Sequence, residues 1–202
     1  MMTWEKFHPY VLPSVAGCPA LTLNHHIKTA ATDFYTASRA WYEPTTYATS
    51  SLQASYPLTT SADRVAIGIQ NAEIIGGKRL DIGYDAEIEE DTSAGTPTRF
   101  YTSDLQSFTL FPVPAISEIQ IKVAAYYAPS FAAVGIDDRL FALHKLAIAD
   151  RAMSTLLMLP AKPWTNPGLA GEKARGWGAA INHGSFLAQT GGARLRVRGV
   201  IL

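Results

Sequence analysis

The sequence predicts an α+β fold: a helical bundle of three main helices, an inserted antiparallel β domain and an extended C-terminal arm. Three observations predict it. A long apolar helical stretch runs from about Asp137 to Leu159, an amphipathic one runs from about Leu21 to Tyr42, and between them the periodicity changes from helical to alternating. The bundle is accordingly assigned to 1–44 and 128–190, the β insertion to 45–127 and the arm to 191–202. With 202 residues, of which 48% are hydrophobic, the chain is long enough for one sizeable core and a smaller second one, and too apolar for disorder.

Residues Trp4 to Leu12 predict one or two helical turns, because Pro9, Pro13 and Pro19 leave no room for more. In the next helix Ile27, Ala30, Ala31, Phe34, Tyr35, Ala37, Trp41 and Tyr42 share one face, with His25, Lys28, Thr29, Thr32, Thr36 and Arg39 opposite. Glu43-Pro44 is expected to end it. The strands expected in the insertion are Thr46 to Leu52, Ser55 to Thr59, Arg64 to Ile75, Arg79 to Tyr84, Arg99 to Ser103, Ser107 to Pro112 and Glu118 to Tyr127. Gly76-Gly77 supplies two residues suited to positive φ in a tight hairpin, and Ser103 to Gln106 reads as a second turn. Ala86 to Asp91 is expected to form a single helical turn.

The apolar stretch is expected to be the central core helix. Asp137 and Asp138 suit its N-terminus and Pro160 stops it. Its apolar residues surround almost the whole circumference, leaving a narrow polar stripe of His144, Arg151 and Thr155. Its His, Lys, Asp and Arg side chains are too many for a bilayer span. After the rigid corner Pro160 to Pro167, Asn166 as N-cap and Pro167 at the first helical position start a third helix reaching about Gln189. Gly168, Gly171, Gly176, Gly178 and Gly184 each cost that helix up to ~1 kcal/mol relative to alanine, so it needs close packing or a partner.

The chain carries no net charge, but the charges are unevenly placed. Asp81, Asp85, Glu87, Glu89, Glu90 and Asp91 form an acidic run, and from Lys162 onward there are six bases against Glu172. Cys18 is the only cysteine, which excludes an internal disulfide and a thiolate metal cluster. No basic segment followed by an apolar one opens the sequence, so no signal peptide is expected.

No reactive constellation is legible. His25 and His26 are neighbours on a helix and point about 100° apart, and Asp33 lies two turns from His26. His144 reads as a neutral core histidine, and His183 sits among glycines. The acidic run lacks the alternating ligands and central glycine of a helix-loop-helix calcium site. Gly176-Trp-Gly178 has no preceding strand and no third glycine, so it is no dinucleotide fingerprint. A non-enzyme without cofactor or metal is the expectation. The ending, Arg194-Leu-Arg196-Val-Arg198-Gly-Val200-Ile201-Leu202, has three readings: an edge guarded by charge, a nucleic-acid contact, or a strand added to another protein.

Several stretches are familiar in their order. His8-Pro-Tyr-Val-Leu-Pro-Ser-Val-Ala-Gly-Cys-Pro19, Ala30-Ala-Thr-Asp-Phe34, Arg39-Ala-Trp41, Gly95-Thr-Pro97, Leu110-Phe-Pro-Val-Pro-Ala115 and the Pro163-Trp-Thr-Asn-Pro167 corner resemble head-to-tail adaptor (connector) proteins of tailed bacteriophages. The resemblance implies a homo-oligomeric ring, commonly a dodecamer, docked beneath the portal protein. Such a ring helps retain the genome, lines part of the DNA ejection channel and offers a surface to the tail or next neck protein. It also implies that Arg194, Arg196, Arg198, Val200, Ile201 and Leu202 form an arm reaching the portal. With Asp85, Glu87, Glu89, Glu90 and Asp91 facing the channel, packaged double-stranded DNA would pass in transient, non-specific proximity. The implied location is the virion, at the head-tail junction, after synthesis in the host bacterial cytoplasm, with no membrane involved. The competing expectation is a non-enzymatic binding module whose β domain recognises a glycan or another protein.

Overall fold

The structure, a computed structural model, describes residues 1–58, 61–83 and 93–190. It is mixed α/β and divides into two compact units, Met1–Trp41 with the chain from Pro129 onward, and Tyr42–Ala128. The insertion therefore begins three residues before the expected boundary. The expected helical turn at Ala86 to Asp91 lies outside the described residues.

In the helical unit a short strand β1 (Met2–Thr3) pairs antiparallel with β11 (Gly135–Ile136). Gly135 is required there, because a Cβ would sit 2.0 Å from the Met2 carbonyl oxygen. A 3-10 turn (Trp4–Phe7), α1 (His8–Val11) and a second 3-10 turn (Leu12–Ser14) follow, short as the prolines demand. Trp4 Nε1 donates to the Ala133 carbonyl at 2.8 Å, and Phe7 meets Phe141 edge to face at 4.8 Å.

Helix α2 (Ala20–Ser38) ends earlier than expected. Arg39 turns left-handed at φ 53° and its N–H closes on the Tyr35 carbonyl, so Trp41 is buried beyond the helix and Tyr42 already opens a strand. Helix α3 (Asp138–Leu156) starts as expected, with an Asp137 carboxylate oxygen accepting from Arg139 N–H at 2.8 Å. It loosens into three-residue turns at Met158 and Leu159 before Pro160. The single third helix expected from 167 to 189 is two helices, α4 (Pro167–Arg175) and α5 (Trp177–Thr190), divided at Gly176. The start is as expected: Asn166 Oδ1 accepts from Leu169 N–H at 3.1 Å. Glycine, the poorest helix former after proline, marks the break.

The second unit contains β2 (Tyr42–Ala48), β3 (Ser55–Pro57), β4 (Arg64–Ile74), β5 (Arg79–Ile82), β6 (Ala94–Gly95), β7 (Arg99–Tyr101), β8 (Ser107–Phe111), β9 (Val113–Pro114) and β10 (Gln120–Pro129), whose last residue lies past the unit boundary. Seven of these form one sheet in the order β2-β10-β4-β5-β7-β8-β3, while β6 and β9 pair apart. The expectation of a purely antiparallel domain is corrected, since β5 pairs with β7 in parallel, Asp81 opposite Arg99 and Ile82 opposite Phe100. A parallel pair needs a long return, and the chain between Ile82 and Arg99 has that length. At the β4-β5 hairpin only Gly76 takes positive φ, at 75°.

The inner face of this sheet buries Tyr56, Leu58, Ala72, Leu80, Phe100, Phe108, Leu110, Ile121 and Val123. Tyr56 stacks on Phe108 at 5.6 Å and Tyr47 meets the same ring edge-on at 5.0 Å. The two outermost strands each carry a proline, Pro44 in β2 and Pro57 in β3, where a missing N–H costs least.

Candidate interaction surfaces

Both sites expected from the sequence, the arm residues Arg194, Arg196, Arg198, Val200, Ile201 and Leu202 and the acidic residues Asp85, Glu87, Glu89, Glu90 and Asp91, lie outside the described residues. What the structure does place is the polar stripe of α3, where His144 is the neutral core histidine expected from the sequence. The stripe faces inward. His144 is 4% exposed and packs at 4.9 Å from Phe34 and 5.9 Å from Tyr35, both on α2. Burial, with the charges of His183 and Arg139 adding to it, lowers its pKa to about 4, so the ring is neutral at pH 7.

Two turns further along, Arg151 reaches Asp33 at 3.6 Å and lies over the Trp177 ring at 5.1 Å. His26 and Thr155 share a hydrogen bond of 2.9 Å. Side chains from two separate helices thus meet along the α2-α3 seam. These pairings join the two helices, while His25 and His183 are exposed. The Tyr35 hydroxyl is buried without a partner, and burial raises its pKa. Among the described residues no group of three or more His, Cys, Asp or Glu side chains is placed to hold a metal ion. Nor is any helix among them long and apolar enough to cross a membrane.

Because the stripe points inward, leucines point outward. Leu143 and Leu146 on α3 are 54% and 62% exposed. On the same unit Phe131 is exposed, with Lys28 Nζ donating to its carbonyl at 2.7 Å and standing over its ring at 5.6 Å.

The sheet unit has a bare apolar surface of its own, built from the loops at 49–54 and 115–119. Leu52 N–H donates to the Pro114 carbonyl at 2.8 Å, Ser51 Oγ to the Ala115 carbonyl at 3.0 Å, and Thr49 Oγ1 to the Ile116 carbonyl at 3.2 Å. The Tyr56 hydroxyl accepts from Ser50 N–H at 3.0 Å and donates to the Gln53 carbonyl at 2.9 Å. Leu52 and Glu118 are held at φ 63° and 68°, a backbone region costly for any residue with a Cβ. The result is a braced tip presenting Leu52, 74% exposed, beside Ile116, 63% exposed. Sequence reasoning missed it. Each leucine or isoleucine stands alone among small polar residues, a pattern that reads as ordinary loop, and positive φ leaves no mark at Leu52.

All four tryptophans, Trp4, Trp41, Trp164 and Trp177, belong to the helical unit, and the aromatics of the sheet unit are tyrosines and phenylalanines. No protein-family model matches this chain, and no curated protein matches it.

Proposed function

We propose that the protein is a structural, non-enzymatic virion subunit: a ring-forming head-to-tail adaptor that docks under the portal, helps retain and channel the genome, and carries the attachment surface for the tail or next neck protein. In this reading the helical bundle, the inserted β domain and an extended arm at 191–202 are the working parts of one ring subunit. The arm engages the portal through Arg194 to Leu202, the acidic residues from Asp85 to Asp91 keep passing DNA from adhering, and no cofactor is needed. The protein is made in the host bacterial cytoplasm and used at the head-tail junction.

The observation that carries the reading is the Leu52/Ile116 tip. A solitary protein gains nothing from a strained, hydrogen-bonded loop pair that keeps two large apolar side chains in water, whereas a subunit that docks does. The ordered set of proline-rich and packing segments that resembles the phage adaptors supplies the identity of the assembly. Native mass measurement and negative-stain imaging of the protein, alone and with its portal, test it: rings are expected on the portal, and a strict monomer in both conditions refutes it. Deleting Arg194 to Leu202 is expected to abolish portal attachment while far-UV circular dichroism stays unchanged; retained attachment removes the arm's role.

A further inference from the structure

The outer face of the first three turns of α3 reads the same in both directions. Arg139, Ala142, Leu143, Leu146, Ala147 and Asp150 fall within a ~140° arc at helical spacing. Arg139, Ala142, Leu143 and Leu146 are exposed and Ala147 and Asp150 half-buried. Turned end over end about its middle, the stripe maps Leu143 onto Leu146, Ala142 onto Ala147 and Arg139 onto Asp150. Two antiparallel copies would therefore set leucine against leucine at the centre, alanines beside them where backbones approach, and a guanidinium against a carboxylate at each end.

The geometry points to a two-fold, antiparallel contact between α3 of one copy and α3 of a second copy. Charge complementarity selects this occupant, since the face carries its own counter-charge at the matching distance from its centre. Lys173 Nζ holds Oδ1 of Asp150 at 2.9 Å, and a carboxylate accepts at both oxygens, so the neighbour's Arg139 completes a network. Lys145 is turned aside over Tyr10 at 5.4 Å and Phe141 at 5.7 Å, and puts no competing charge on the stripe. With two leucines per copy the contact is small, and a dissociation constant on the order of 10⁻⁴ M fits its size. A two-fold contact closes at two copies, so it is distinct from any head-to-tail ring surface and describes the protein outside the ring.

Sedimentation equilibrium of the full chain up to ~1 mM reads it directly. Wild type is expected to dimerise, and Leu143→Asp to weaken this by about 100-fold, the apolar centre being lost. Arg139→Glu and Asp150→Arg are each expected to weaken self-association by about tenfold, because each places like charges together at both ends of the dimer. The two variants mixed in equal amounts form a heterodimer near wild-type strength, since both ends then carry opposite charges. A mixture that stays as weak as its components overturns the proposal, as does a wild type that stays monomeric. A wild-type monomer that dimerises only when shortened after Thr190 also overturns it, by making the chain's own end the cover. Circular dichroism of each variant separates lost association from lost folding. Rings with the portal bear on the adaptor assignment alone.

Discussion

The two halves of α3 are alike in apolar content and end in opposite surroundings. From Arg139 to Asp150 the outer face keeps Leu143 and Leu146 in water, while Met153, Leu156 and Leu157 further along are buried. The difference is the cover. Helix α4 runs along the C-terminal half, buries Ala170, and is tied by Asn166 N–H to the Leu157 carbonyl at 2.9 Å and by Lys173 to Asp150. On the N-terminal half Phe7 and Tyr10 pack against Phe141, and Leu143 and Leu146 stay exposed. An apolar helix face thus reveals that burial is available to it and stays silent about which molecule provides it.

Substitutions on the inner and outer sides of that helix sharpen the contrast. The largest loss is expected from Phe34→Ala, which empties a fully buried ring site touching Tyr35, His144 and Trp177, at about 3–5 kcal/mol of unfolding free energy in urea. Ile148→Ala on the buried side of α3 should cost about 2–4 kcal/mol, against less than about 0.5 kcal/mol for Leu143→Ala in dilute protein. Equal losses at 148 and 143 would erase the difference between the two faces.

The buried histidine gives the same contrast a pH axis. His144 has a folded pKa of about 4, below its unfolded value of 6.5, so between those values the unfolded chain binds the extra proton. Stability is fully present above about pH 6.5 and falls as the pH drops toward 4, by roughly 2–3 kcal/mol. His26, lowered by burial and by His25, acts in the same direction. Urea unfolding of wild type and His144→Gln at pH 7 and pH 4.5 checks this, with a flatter profile expected in the variant.

Smaller effects come from the glycines. A Cβ at Gly184 would lie 2.9 Å from Phe34 Cζ and 3.1 Å from Ser38 Cβ, so Gly184→Val should cost about 1–3 kcal/mol where α5 crosses α2. Gly171, on the open side of α4, has no atom within 4 Å of that position, and Gly171→Ala should stabilise by about 0.5–1 kcal/mol. Thermal melts of the pair would show opposite signs.

These contrasts also mark what was readable beforehand. The α3 start, the Asn166 cap and the two hairpin turns were legible, because each rests on local backbone chemistry that needs no distant partner. The end of α2 and the break inside the expected third helix were not. Arg39 adopts a left-handed turn that no residue type announces, and one glycine among five decides where α4 stops. The partners of the polar stripe were illegible for another reason: Phe34, Asp33 and His26 reach His144, Arg151 and Thr155 from more than a hundred residues away. Most of the chemistry at Leu52 and Ile116 lies in backbone hydrogen bonds, which sequence alone does not display.

Pro44 and Pro57, on the two flanking strands of the sheet, have a consequence for life in a crowd. A protein stored or packed at high local density brings many identical strand borders side by side, and an unguarded border zips onto its twin into ever-growing fibrils. One missing hydrogen on each border spoils that zipper. Copies can accumulate shoulder to shoulder and still come apart as individuals.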